Sequence, residues 1–131
     1  MAVEKAPAEK PVMIQSCNVG TLTGYGDKKG EWSIPRKLKC LKNAGFDGFT
    51  GRVHMISQKE VEESGLIFVC TTDMGDPKEV EPKLKRIKRY GARVVNVQML
   101  DHDTHTKEAV SLARRVMAMA DKLEMDVSIE V

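Results

Sequence analysis

DVSIEV, residues 126–131, is the stretch on which the fold turns. In an extended chain Val127, Ile129 and Val131 share one face, while Ser128 and Glu130 share the other. The preceding apolar segment RVVNVQ (93–98) has the same habit, with Val95 and Val97 on one side and Asn96 and Gln98 on the opposite one. Both segments therefore read as strands with one apolar and one polar face.

Working outward, the chain from Pro11 repeats one order of signals: strand, polar loop, helix start, helix stop, next strand. VMIQS (12–16) is the first predicted strand. EWSIPRKLKCLKNAG (31–45) follows as a helix, with Ser33 as N-cap, Pro35 in the first turn, Leu38 and Leu41 inward and Gly45 at the stop. FDGFTG (46–51) is a short second strand. SQKEVEESG (57–65) opens on a capping box, Ser57 with Glu60, and stops at Gly65. LIFVCTT (66–72) is a third strand, apolar through most of its length as if covered on both faces. DPKEVEPKLKRIKRYG (76–91) is capped by Asp76 and Glu79 and carries a Val80/Leu84/Ile87 stripe. TKEAVSLARRVMAMADKLE (106–124) puts Val110, Ala113, Val116, Met117, Ala120 and Leu123 on one face, as core.

Such β/α alternation with short links means parallel strands and right-handed crossovers, so the class is α/β. An open flavodoxin-like sheet and a (β/α)8 barrel share this grammar. Size alone favours the open sheet, since the chain has 131 residues. Polarity favours the barrel. An open sheet sandwiched by helices needs both faces of its central strands apolar, whereas a barrel accepts polar inward residues near its C-terminal mouth. TLTGYG (21–26) superficially resembles a phosphate loop, but the helix after it starts only at Ser33, too late to offer its N-terminus to an anion.

Composition excludes other classes. Lys and Arg number 21 against 19 Asp and Glu, a net charge of +2, which gives no electrostatic case for nucleic acid or an anionic membrane. The basic run KLKRIKRY (83–90) is broken by Leu84 and Ile87 at helical spacing and reads as a solvated helix face. Cys17, Cys40 and Cys70 lack any CxxC spacing and read as reduced thiols. No apolar run reaches transmembrane length, and residues 1–10 are a charged, Pro/Ala-rich flexible tail rather than a signal peptide. The expectation is a cytoplasmic protein.

Three segments carry a resemblance: SIPRKLKCLKNAGFDGFTG (33–51), GARVVNVQ (91–98) and EAVSLARRVMAMADKLEMDVSIEV (108–131). Together they resemble the first five β/α units of the sugar phosphate isomerase/epimerase family, in the xylose-isomerase-like TIM barrel superfamily. The resemblance covers residues 11–131 and implies the N-terminal portion of such a barrel, a partial (β/α)8 fold of about five strands with helices outside. The family's A-x-x-x-G-V-x-[apolar]-x-x-E run is matched by ADKLEMDVSIEV, which places Glu130 at its metal-ligating glutamate. Thr50 stands where relatives carry an acid at the end of strand two, and Glu124-Met125 where relatives carry Gly.

The resemblance implies isomerisation or epimerisation of a small sugar or sugar phosphate with a divalent metal (Mn, Mg, Zn or Co). It makes Glu130 both catalytic residue and ligand; a solvated terminal carboxylate is the plain alternative. Asn96 and Gln98 are candidate substrate contacts. In MLDHDTHT (99–106), His102 is the candidate for a substrate-loop contact, with a polar loop capped by Thr104 or Thr106 as the alternative. His54 sits in the loop after strand two, as a contact or simply solvated. Trp32 either walls a sugar site or acts as a hydrophobic staple. The remaining family ligands would come from later strands, so self-association or a complementing chain is expected.

Overall fold

The computed structural model describes residues 14–99 and 104–130. β1 (Ser16–Asn18) leads through a 3-10 turn into a small hairpin, β2 (Gly26–Asp27) and β3 (Gly30–Glu31). Then come α1 (Ile34–Asn43), β4 (Gly48–Gly51), α2 (Gln58–Ser64) and β5 (Ile67–Met74). A 3-10 turn opens α3 (Val80–Arg89), followed by β6 (Val94–Met99), α4 (Thr106–Lys122) and β7 (Asp126–Glu130).

The main sheet runs β1-β4-β5-β6-β7, in sequence order, and every neighbour is parallel. A doubly wound sheet would break that order, because its chain returns past β1 to fill the other side. Sequential order with helical crossovers is the winding of a barrel. The protein is α/β, a partial (β/α)8 barrel of five parallel strands.

The core lies on one side of the sheet. Phe49, Phe68, Cys70, Val95 and Val97 are buried from alternate strand positions. They form one cluster with Leu38 and Leu41 of α1, Val61 of α2, Val80, Leu84 and Ile87 of α3, and Leu112, Val116 and Ala120 of α4. Phe49 and Phe68, paired in register, stack with ring centroids 5.0 Å apart. The intervening positions, Thr50, Val69, Thr71, Val94, Asn96 and Gln98, face the other way and none is fully buried. Burial of one face only is what gives the arc its helix-covered outside and its open concave side.

Local signals behave largely as their chemistry dictates. The Ser57 hydroxyl accepts from the Glu60 N–H at 3.2 Å, and the Glu60 carboxylate accepts from the Ser57 N–H at 2.8 Å. The differences from expectation have physical causes. Residues 12 and 13 lie outside the described residues, and β1 begins at Ser16, four positions later than the apolar pattern predicts. β5 runs to Met74, past the Thr72 end that its apolar run predicts, and only one of its faces is covered. α4 is capped by the backbone of His105 rather than by Thr104 or Thr106, and Thr106 is its first helical residue. Its buried line is Leu112, Val116 and Ala120, whereas Val110 and Met117 are exposed. The apolar stripe of α4 is wider than the surface that β6, β7 and α3 offer it, so one flank stays in solvent.

At the end of α4 stands Glu124 with φ 55°, the only non-glycine residue with positive φ among those described. It occupies the stop position where the resembling family carries Gly. A side chain in that conformation costs roughly 1 kcal/mol. Glu124→Gly is therefore expected to raise unfolding stability, offset in part by the added freedom of the unfolded chain, for a net gain below about 1 kcal/mol. Urea denaturation of the two proteins measures it, and a loss of stability would refute the strain at this position.

Candidate functional site

Parallel register stacks the concave side chains into two rows at the C-terminal end of the sheet. Thr71, Asn96 and Ser128 are partners in one row, and Asp73, Gln98 and Glu130 in the row above. Here the sequence puts polar residues at every inward position of three adjacent strands, while the outward ones stay apolar or Thr. Asn18, Thr50 and Arg52, at the ends of β1 and β4, close the opposite side of an open bowl of about 490 Å³.

The side chains in this bowl are bonded to one another in a directed chain. Asn96 Nδ2 donates to Glu130 Oε2 at 3.0 Å, and Gln98 Nε2 donates to the same oxygen at 3.3 Å. Ser128 Oγ donates to Asn96 Oδ1 at 3.2 Å, and Arg52 Nη2 donates to Gln98 Oε1 at 3.0 Å. An amide whose oxygen is claimed by a donor must turn its NH₂ the other way. Arg52, which can only donate, thus orients Gln98 so that it donates to the carboxylate; Asn96 is turned by the acceptor-only carboxylate itself, and the Ser128 hydroxyl donates to the oxygen left facing it. The result is a Glu130 whose pKa is held below the ordinary glutamate value, by the Asn96 bond first and the Gln98 bond second.

Arg52 is itself clamped by Asp73, with Nη1 to Oδ2 at 2.6 Å and Nη2 to Oδ1 at 3.1 Å. This two-point contact is the geometry that guanidinium and carboxylate planes favour. It lowers the Asp73 pKa and raises that of Arg52. Cys70, behind the bowl, is perturbed in the opposite sense to the carboxylates; burial pushes its thiol up to about 11, which keeps it protonated and a poor nucleophile.

The residues singled out by sequence reach different places. Asn96, Gln98 and Glu130 come together in the bowl. Trp32 lies against α1 instead: its ring sits 4.2 Å from the Arg36 guanidinium, and its Nε1 donates to Asp27 at 3.4 Å. His54 is exposed and lines a neighbouring groove with Arg52. His102, with Asp101 and Asp103, falls outside the described residues. Arg52 and Asp73 join the site without being picked out by sequence pattern. The alternation of Thr71 and Asp73 against Cys70, Thr72 and Met74 carries the signal for Asp73, hidden when the strand is ended at Thr72. Nothing local marks Arg52, since its partners lie 21 and 46 residues away.

No protein-family model matches the chain, and no curated protein matches it. Among solved structures it is similar to a type I 3-dehydroquinate dehydratase from Clostridium difficile, determined with covalently modified comenic acid. The TM-score is 0.60 at 12% identity, covering 87% of this chain and 50% of that one. The chain thus spans about half the length of that protein, a TIM barrel. At this identity the likeness shows the fold: both are built on parallel β/α barrel architecture. No described helix is long and apolar enough to cross a membrane.

The clamp has a measurable pH signature. Asp73 has a lowered folded pKa, so the pair contributes stability above the ordinary aspartate value of about 4 and loses it as pH falls through the folded value. Both side chains are substantially solvated, which keeps the effect of Arg52→Leu at neutral pH below about 1 kcal/mol. Denaturation at neutral pH is expected to show that deficit, and the same comparison at acid pH is expected to show it shrinking. A deficit independent of pH would mean that the aliphatic stem of Arg52 matters, not its charge.

Proposed function

We propose that the bowl is half of the active-site mouth of an isomerase or epimerase acting on a small sugar or sugar phosphate. The observation that carries the reading is the Glu130 carboxylate, fixed by two pre-oriented amides at the C-terminal end of parallel barrel strands, where such folds do their chemistry. The family resemblance of the sequence supports the same reading. Moving a proton at a carbon beside a carbonyl needs an ionised carboxylate within reach, and the amides keep Glu130 ionised and aimed. Glu130 Oε2 is taken by Asn96 and Gln98, while no described residue donates to Oε1, which leaves that oxygen for a substrate hydroxyl or proton. Thr50, Thr71 and Asn18 supply hydroxyl and amide groups of the kind that bind polyols.

A divalent metal belongs to this chemistry in the resembling family. The described residues contain no group of three His, Cys, Asp or Glu side chains able to hold one, and the neighbours of Glu130 are amides. They do not make a metal centre by themselves; Glu130 is the single ligand that they would lend to one.

Glu130→Gln keeps the shape of the side chain and removes its charge. Conversion of pentoses, hexoses and their phosphates, followed by NMR with and without Mn²⁺, is expected to fall by about 10²-fold or more in this variant, with thermal stability unchanged. Equal turnover by both proteins would refute the assignment.

The reading also requires the open side of the arc to be covered. Ile67, Val69 and Val94 are half-buried on the concave floor, and on the helix-covered outside α4 exposes Val110 and Met117 as well. Apolar surface of this kind favours association, for which we propose a second copy of the chain. Light scattering is expected to give the mass of at least two chains, and Val94→Glu on the concave floor to lower it. A monomer would point instead to a complementing chain of different sequence.

A further inference from the structure

Beside the bowl lies a second opening, of about 280 Å³, lined by Arg52, His54, Thr72, Asp73, Lys83 and Arg86. Three cationic side chains and an imidazole meet Asp73 there, and Glu79 pairs with one of the three from the turn before α3. Asp73 is already engaged, since Arg52 holds both of its oxygens. Lys83 donates to the Asp73 carbonyl at 2.7 Å and pairs with Glu79 at 3.2 Å, which fixes its ammonium at this opening. Arg86, one turn further along α3, is exposed, and its guanidinium has no ion-pair partner among the described residues.

The basic run of α3 would by itself be a solvated helix face. Tertiary structure sorts it. Lys85 is paired with Glu81, and Lys88 donates to the carbonyl of Leu123. Lys83 and Arg86 converge instead with Arg52 and His54, which arrive from the loop after β4. Donors from two separate elements, with the unpaired Arg86 guanidinium among them and the Thr72 hydroxyl beside them, suit a small oxyanion with several acceptor oxygens. Arg52 also lines the bowl, so the two openings are neighbours across one side chain.

We propose that this groove binds the phosphate group of a phosphorylated ligand, with Arg86, Lys83 and His54 as its donors. The inference rests on the sugar reading of the bowl for the rest of the ligand, and it selects a sugar phosphate over a free sugar. It predicts that inorganic phosphate occupies the groove even when no sugar is present.

The test is an amide NMR titration of the full chain with three probes: inorganic phosphate, ribose and ribose 5-phosphate. Phosphate is expected to shift the signals of residues 52–54 and 83–86 saturably. Ribose 5-phosphate is expected to shift these and also residues 96–98, with higher affinity than phosphate. Arg86→Ala is expected to weaken phosphate about tenfold, the scale of one charged hydrogen bond. Arg89→Ala, an equal loss of charge on the same helix outside the groove, is expected to leave it unchanged. Equal weakening by the two variants, or no saturable shift with phosphate, overturns the groove. If ribose 5-phosphate moves the groove alone, the anion site stands and the sugar reading of the bowl fails. If ribose moves the bowl while phosphate moves nothing, the groove fails and the bowl survives.

Discussion

A parallel strand paired on both sides cannot shift by one residue without exchanging its two faces, and β6 is where that constraint holds this protein together. Val95 and Val97 are wholly buried against α3 and α4, while Asn96 and Gln98 lie on the open side. Sliding the strand by one position would bury two amides and expose two valines. Burying an amide without a partner costs a few kcal/mol, and each valine exposed loses about 1.5 kcal/mol or more. The register of β5 and β7 follows from that of β6, and so do the two polar rows of the bowl.

The bowl then inherits its electrostatics from polar groups at the ends of the strands. Arg52 stands at the exit of β4, where the chain leaves the sheet, and reaches across β5 to the side chain of β6. Its charge fixes which end of the Gln98 amide faces Glu130. Ser128 completes the Asn96 amide by donating to its oxygen once Glu130 has claimed the NH₂. A carboxylate oriented from both sides is pre-organised before any ligand arrives, which is the condition under which a single acid or base contributes most. The same arginine and Asp73 neutralise each other, as Lys83 and Glu79 do, which leaves Arg86 as the unpaired charge on the α3 side among the described residues.

The likeness to a barrel dehydratase at 12% identity illustrates how little of this chemistry is fold. Parallel β/α winding recurs with unrelated side chains at the mouth, and function has to be argued from those side chains. What the two proteins share is the path of the backbone. The mouth of this chain holds an acid bonded by two amides and an arginine clamped to an aspartate.

Local sequence pattern is enough to define the class and the polar face, while the winding, open sheet or barrel, is decided by the strand order. Strand alternation in RVVNVQ and DVSIEV is set by the two-residue period of an extended backbone, so Asn96, Gln98, Ser128 and Glu130 fall on one face whatever the rest of the chain does. The helix start at Ser57 is legible for a similar reason, since caps act over three residues, whereas Asp76 caps the 3-10 turn and α3 itself begins at Val80. The rest depends on contacts between distant parts of the chain. Arg52 and Asp73 join the site through contacts 21 and 46 residues apart, and no local pattern encodes a partner at that distance. Trp32 is equally suited to face a ligand or a helix until Arg36 and Asp27 are both beside it. The stripe on α4 reads wider in sequence than its buried line, because the width of an apolar face is local but the area available to cover it belongs to its neighbours.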